Sequence, residues 1–204
     1  MSNGLFITFE GGDGSGKSTQ ITKLKEYLEH KGFQVVLTRE PGGTPISEAI
    51  REIILDSNNT EMSDMTETLL YAAARAQLVE QVIRPAVSRG DVVICDRFVD
   101  SSMAYQAYGR GLGDVVWEIN QHAISDCMPD LTILLKLDPE TGMHRISGRA
   151  QDRIELSSSA FHRRVYEGYL ALEKRFPDRI KGIDASKDID EIANEIIGII
   201  EELI

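Results

Sequence analysis

Five short runs of this chain, at 5–9, 33–37, 92–95, 131–137 and about 179–183, are apolar without alternating, and longer stretches of helical periodicity separate them. A strand with one buried face alternates apolar and polar residues, whereas one covered on both faces reads as a continuous apolar run. The order strand, helix, strand therefore predicts an α/β fold with a five-stranded parallel sheet and helices on both faces. Residues 17–31 carry Ile21, Leu24 and Leu28 on one face and stop at Gly32, a residue suited to a helix C-terminus. A second helix is expected over 66–88, interrupted near Pro85, and a last one with Ile189, Ile192, Ile196, Ile200 and Leu203 as its inner face. With 204 residues, 42% of them hydrophobic, the chain can bury one sizeable core, so a single domain over 1–204 is expected.

The stretch HRISGRAQDRIELSSS, residues 144–159, departs from this pattern. It is polar, rich in arginine and poor in core residues, and it reads as a flap or lid over about 142–158. The formal net charge of −11 excludes a general nucleic-acid binder, which needs a basic face to neutralise phosphates. Any anion must meet a local cationic site. No apolar stretch approaches the roughly 20 residues of a membrane span, and no signal-like segment opens the chain, so a soluble cytoplasmic protein without a membrane partner is expected. Cys95 and Cys127 lie in apolar surroundings without metal-ligand spacing and are expected to be reduced thiols.

Directly after the first run comes GGDGSGKST. Gly11, Gly16, Lys17 and Ser18 match G-x-x-x-x-G-K-[ST], a pattern a random chain of this length meets on the order of once in a hundred times. The backbone of Gly11, Gly12, Asp13, Gly14, Ser15 and Gly16 can wind so that successive N–H groups converge on an anion at a helix N-terminus. Lys17 then supplies full charge to the β- and γ-phosphates, the Ser18 hydroxyl is placed for Mg²⁺, and Thr19 closes the cradle. A nucleoside triphosphate site follows, whereas a plain Gly-rich turn leaves the lysine unexplained. No guanine-reading N-K-x-D segment accompanies it, which disfavours a GTPase.

The remaining motifs concern an acceptor. Asp96 and Arg97 end the third run, at the carboxyl edge of a parallel sheet where ligands bind. The carboxylate can organise Mg²⁺ and its waters and the guanidinium can grip a phosphate, although a structural salt bridge explains the pair equally well locally. Arg39 ends the second run before a Pro-Gly-Gly turn. Tyr71 and Arg75, at i and i+4, share a helix face and suit a base that is stacked and hydrogen-bonded; helix packing with a solvated arginine is the competing reading.

Taken together, Phe9-Glu10-Gly11, Thr38 through Thr44, Tyr71 through Arg75, Asp96-Arg97-Phe98, Ser101 through Gln106, Gly109-Arg110-Gly111, Pro129 through Thr132, Asp152 through Glu155 and Ile183-Asp184-Ala185 resemble the bacterial thymidylate kinases over the whole chain. The resemblance implies a P-loop NTPase fold, transfer from ATP to dTMP with Mg²⁺, and a homodimer. It assigns Arg39 and Arg97 to the dTMP phosphate, Tyr71 to stacking on thymine and Arg75 to a thymine carbonyl. Ser102 and Gln106 follow the base and sugar, Tyr105 crowds the 2′ position, Asp13 faces the 3′-hydroxyl, and Ala185 lies in a loop beside adenine. Another branch of the family has arginine immediately after the P-loop acid, where this chain has Gly14. Charge on the transferred group must then be met from elsewhere, and Arg149 and Arg153, with Arg145 behind them, are spaced to share one face of the lid. Another nucleotide or deoxynucleoside kinase, or an ATP-binding regulatory module, are the alternatives.

Overall fold

The computed structural model describes residues 4–148 and 150–204. Five strands, β1 (Leu5–Glu10), β2 (Val35–Arg39), β3 (Val92–Asp96), β4 (Leu131–Lys136) and β5 (Ile180–Asp184), form one parallel sheet in the order β2-β3-β1-β4-β5. Nine α-helices are assigned among the described residues: α1 (Lys17–His30), α2 (Pro45–Leu55), α3 (Asp64–Leu78), α4 (Arg84–Arg89), α5 (Val99–Ser102), α6 (Val115–Ile124), α7 (Pro139–Ile146), α8 (Ser159–Arg175) and α9 (Ile189–Glu201). The expected α/β class and parallel sheet are what the chain forms.

Side chains alternate along β1 between two buried layers. Ile7 and Phe9 pack with Leu24 and Leu28 of α1 and Ile196 and Ile200 of α9, while Phe6 packs on the opposite face with Leu78, Ile83 and Phe98. Both faces are apolar because both are covered, as the unalternating runs required. Edge strand β2 is the exception: it begins at Val35 and leaves Leu37 43% exposed.

The helix expected over 66–88 forms in two pieces. Between α3 and α4 the chain widens into a π-helical segment, Val79–Ile83, just before Pro85. Proline has no N–H to donate and its ring crowds the carbonyl four residues back, and a wider turn accommodates both. A second π segment, Met103–Gly109, continues α5, with Arg110 N donating to the Tyr105 carbonyl at 2.9 Å, five residues back.

One correction concerns the C-terminal helix. Ile192, Ile196 and Ile200 are buried, but Ile189 is 52% and Leu203 50% exposed, because α9 starts at the first and ends before the second. The inner face is completed by Ala193 instead. Truncating Ile196 should therefore open a cavity costing about 2–5 kcal/mol, whereas Ile189→Ala should cost under about 0.5 kcal/mol. Urea denaturation of the two variants checks this, and comparable losses would contradict the packing.

Candidate active site

The carboxyl ends of β1, β2 and β3 lie level, since Phe9 pairs with Asp96 and Asp96 with Arg39 in the sheet register. Loops leaving these ends enclose a cleft of about 660 Å³. The cradle forms one wall, lined by Asp13, Gly14, Ser15, Gly16, Lys17, Ser18 and Thr19. Gly11 and Gly16 take φ of +132° and +92°, which an L side chain rarely adopts, and a Cβ on Gly11 would run into the Leu135 carbonyl. Lys17 Nζ donates to the carbonyls of Gly11 at 3.0 Å and Gly12 at 3.1 Å, folding back along the loop it charges. Burial, with the Arg97 guanidinium nearby, pulls the Lys17 ammonium down to about 8.

Opposite the cradle stand Arg39, Arg51, Tyr71, Asp96, Arg97, Ser102, Tyr105 and Gln106. Arg97 has φ of 69°, a left-handed backbone that costs a non-glycine residue about 1–3 kcal/mol and that surrounding contacts must hold. Those contacts come from Glu10, buried at the end of β1. Its carboxylate accepts from Phe98 N at 2.8 Å, Ser101 Oγ at 2.5 Å and Tyr169 OH at 2.9 Å. Burial, reinforced by Asp100, pushes the Glu10 carboxyl up to about 7. The Arg97 side chain donates to Asp13 Oδ1 at 2.6 Å and to the Gly11 carbonyl at 3.0 Å, so Arg97 and the cradle are bonded to each other. Burial raises the Asp13 carboxyl, but Arg97 and Lys17 outweigh it and hold the group below the ordinary aspartate value.

Arg39 is half exposed and pairs with Glu48 of α2 at 2.9 Å. Arg51, three residues along that helix, enters the same cleft and donates to the Pro41 carbonyl at 2.8 Å. Arg51 escapes a reading of the sequence because it stands in an ordinary helical pattern; its i+3 spacing from Glu48 is the only signal. Arg75 lies behind the cleft wall, 1% exposed. Its N–H groups go to Glu40, Ser102, Asn120 and the Phe98 carbonyl, so it meets a thymine carbonyl only by exchanging one of these partners.

The lid differs from the expected single face. Helix α7 ends at Ile146, and Arg145 and Arg153 therefore occupy a helix and a later turn. Arg145 lines the cleft and donates to the Gly14 carbonyl at 3.2 Å. Arg153 is turned away from the cradle: it donates to the Ile54 carbonyl at 2.8 Å and to Glu67 at 2.7 Å, tying the segment to α2 and α3. Arg149 lies outside the described residues. Ala185 is buried and does not line the cleft; its loop is tied to α1 by Gln20 Nε2, which donates to the Ile189 carbonyl at 2.9 Å.

Gly14 has a structural reason to be glycine. Its φ is +74°, and a Cβ there would collide with the carbonyl of Gly142 in α7, while a Cβ on Gly142 would collide with the Asp13 carbonyl. The two backbones touch, so any side chain after the P-loop acid would push the lid helix away.

A phosphate cradle after the first strand that faces arginines from the second and third across one cleft defines a P-loop kinase, passing a phosphoryl group from a nucleoside triphosphate to a phosphorylated acceptor. The family model described as thymidylate kinase matches residues 9–196. A thymidylate kinase of Geobacillus sp. (strain WCH70) is 53% identical over 193 residues, 93% of this chain and 92% of the relative. That of Bacillus velezensis is 50% identical over 204 residues, 98% and 96% of the two chains. The crystal structure of thymidylate kinase from Ehrlichia chaffeensis at 2.15 Å resolution matches with a TM-score of 0.80 and 33% identity, over 98% of this chain and 99% of that one. The chain belongs to the thymidylate kinase family, the ATP-dependent phosphotransferases that convert dTMP to dTDP for dTTP synthesis.

The Lys17 environment generates a pH dependence. Its value of about 8 lies below the 10.5 of an ordinary lysine, so free enzyme carries the charge below pH 8 and loses it above. Above about pH 7 ATP is essentially fully ionised, and it binds the charged form of the lysine. Apparent ATP affinity should therefore be level between about pH 7 and 8 and fall above it, approaching tenfold per pH unit. A fluorescence titration across this range checks it; a flat profile would remove Lys17 titration from binding.

Proposed function

We propose that this chain phosphorylates dTMP by in-line attack of an acceptor phosphate oxygen on the γ-phosphorus of ATP, with Mg²⁺, in a cytoplasmic homodimer. The observation that carries the residue roles is the placing of Arg39, Arg51 and Arg97 across one cleft from Lys17. In this reading the P-loop backbone from Gly11 to Thr19 holds the donor phosphates, Lys17 bridges toward the transferred group, and the three arginines grip the dTMP phosphate. Tyr71 stacks on thymine, Ser102 and Gln106 follow the base edge, Arg75 reaches a carbonyl by exchange, and Tyr105 excludes a 2′-hydroxyl. Asp13 orients Arg97 and faces the sugar, and the Ala185 loop borders adenine.

The donor set fits Mg²⁺. Among the described residues Asp96 Oδ1 is a buried oxygen without a hydrogen-bond partner, and Ser18 is exposed in the same cleft. Two hard oxygens, without a larger cluster of ligating side chains among the described residues, suit a cation that keeps waters and takes its other ligands from phosphates. When bound, the ion neutralises charge on the donor phosphates. No enzyme base is needed, since a phosphate monoester is already largely ionised at neutral pH. Arg145, from the lid helix, supplies positive charge beside Gly14, with Arg149 as its proposed companion; Arg153 anchors the lid. The domain reading, one unit over 1–204 with a lid at about 142–158, belongs to this proposal. The dimer reading is supported by exposed Ile46 and Ile53 on α2 and Met65 and Leu69 on α3, and light scattering tests it. Among the described residues no helix is long and apolar enough to cross a membrane, and both cysteines are free, as a reducing compartment favours. The acidic net charge supports mononucleotides over polynucleotides as partners.

Coupled ADP release with ATP and Mg²⁺ across dTMP, dUMP, dCMP, UMP and thymidine should give a marked preference for dTMP, with UMP and thymidine poor. Preference for thymidine would overturn the acceptor-phosphate assignment of the arginines. Arg97→Ala should lower kcat/KM for dTMP roughly 10- to 100-fold or more, the scale of lost charge-assisted hydrogen bonds. Arg145→Ala should lower kcat with little change in KM, by about 100-fold if its charge acts only in the transition state. An unaltered kcat would take Arg145 out of the chemistry.

A further inference from the structure

Glu67 on α3 is a buried carboxylate that phosphate transfer does not use. Its Oε1 accepts from Gln106 Nε2 at 2.9 Å and from Arg110 Nε at 3.2 Å, and its Oε2 accepts from Arg110 at 2.9 Å and Arg153 at 2.7 Å. Burial raises this carboxyl, but the hydrogen bonds from Arg110, Gln106 and Arg153 and the Arg110 charge outweigh it and hold it ionised. An ionised carboxylate has only acceptor sites. The end of the Gln106 amide that meets it must therefore be the NH₂ group, whichever way an unconstrained amide would turn.

The consequence appears on the other side of Gln106. This residue lines the cleft beside Tyr71, Ser102 and Tyr105, and its Oε1 has no hydrogen-bond partner among the described residues. With the nitrogen committed to Glu67, the amide offers the cleft an acceptor.

We propose that Glu67 is a positioning residue for base selection: it locks Gln106 with its carbonyl oxygen toward the base, so that a pyrimidine with N–H at ring position 3 is accepted and one with a lone pair there is refused. This rests on the placing of Gln106 along the base edge proposed above. Thymine and uracil carry that N–H; cytosine presents a bare nitrogen, which would face the oxygen with no proton between them. A glutamine free to rotate its amide could satisfy either ring and would select neither. Glu67 removes that freedom, and an unpaired acceptor facing an acceptor in a dry site is the kind of mismatch that discriminates strongly.

The test is the ratio of kcat/KM for dTMP to that for dCMP in wild type and in Glu67→Gln, with thermal unfolding as the check on folding. In the variant, the oxygen of the introduced amide is expected to stay with the two guanidiniums and its NH₂ to face Gln106, which must then invert its own amide. The ratio should fall by roughly tenfold or more. Effects on lid anchoring through Arg153 slow both substrates alike and cancel in the ratio, so a merely structural role leaves it unmoved. An unchanged ratio in a folded, active variant overturns the proposal. Wild type that fails to prefer dTMP over dCMP overturns the base-edge reading itself. Should Glu67→Gln not fold, a joint neutron and X-ray structure of the wild-type dTMP complex decides: deuterium on the Gln106 atom facing Glu67 supports the proposal, and deuterium on the atom facing the base refutes it.

Discussion

The carboxylate of Glu10 ties the two halves of the site together. It ends the central strand one residue before the phosphate cradle begins, and it is buried, a placement that would cost several kcal/mol if its oxygens were unpaired. They are instead filled by the Phe98 amide and the hydroxyls of Ser101 and Tyr169, all of which belong to or brace the turn after β3. That turn carries Arg97 in a left-handed backbone, and the amide of Arg97 itself donates to the Phe9 carbonyl at 2.9 Å. Main chain and side chain of β1 thus hold the strained residue together. Cradle and Arg97 are thereby joined through the end of β1 and through the bonds from Arg97 to Asp13 and the Gly11 carbonyl.

In a chain with net charge −11, several of the arginines in and behind the cleft are paired with acids. Arg97 is set by Asp13, Arg39 by Glu48, Arg75 by Glu40 and Arg153 by Glu67. Removing one member of a buried pair such as Arg75 and Glu40 costs about 3–5 kcal/mol, so Arg75 is fixed in direction, whereas the exposed pair of Arg39 and Glu48 holds its arginine weakly. Preorganisation of this kind matters more to phosphoryl transfer than net charge does, because catalysis there is chiefly positioning and electrostatics. Lys17, Arg39, Arg51, Arg97 and Arg145 line the cleft together with Asp13, Glu40, Asp96, Asp152 and Glu155, so the charge there is set by arrangement and not by excess.

What the sequence discloses follows from how far each signal reaches along the chain. The strands were legible because burial on both faces leaves a local mark, and the cradle because its glycines, lysine and hydroxyl must be adjacent to work. Arg39 and Arg97 could be found because each ends a strand, and strand ends converge in a parallel sheet. Arg51 and Glu67 could not, since each sits in ordinary helical surroundings; Arg51 shows its place only once α2 is folded against the cleft, and Glu67 takes its meaning from partners far along the chain, Arg153 being 86 residues away. The arrangement of the lid arginines was hidden for the same reason. Their spacing suggested one helical face, but α7 stops at Ile146, and Arg153 donates to Glu67 and the Ile54 carbonyl. Leu203 illustrates the ordinary limit of periodicity, which continues on paper past the point where the helix ends.

The glycine after the P-loop acid and the arginine of the lid helix are one solution to one steric problem. Positive φ at Gly14 and the touching backbones of Gly14 and Gly142 leave no volume for a side chain at either position. A cation cannot be delivered from the loop itself without displacing α7. The same contact brings α7 close enough that Arg145, one turn beyond Gly142, reaches the Gly14 carbonyl. Loss of a charge from the loop and its gain from the lid therefore follow from a single close approach. On the role proposed for Arg145, whatever displaces α7 also withdraws this cation from beside the cradle, so water exclusion and charge around the transferred group would depend on one contact.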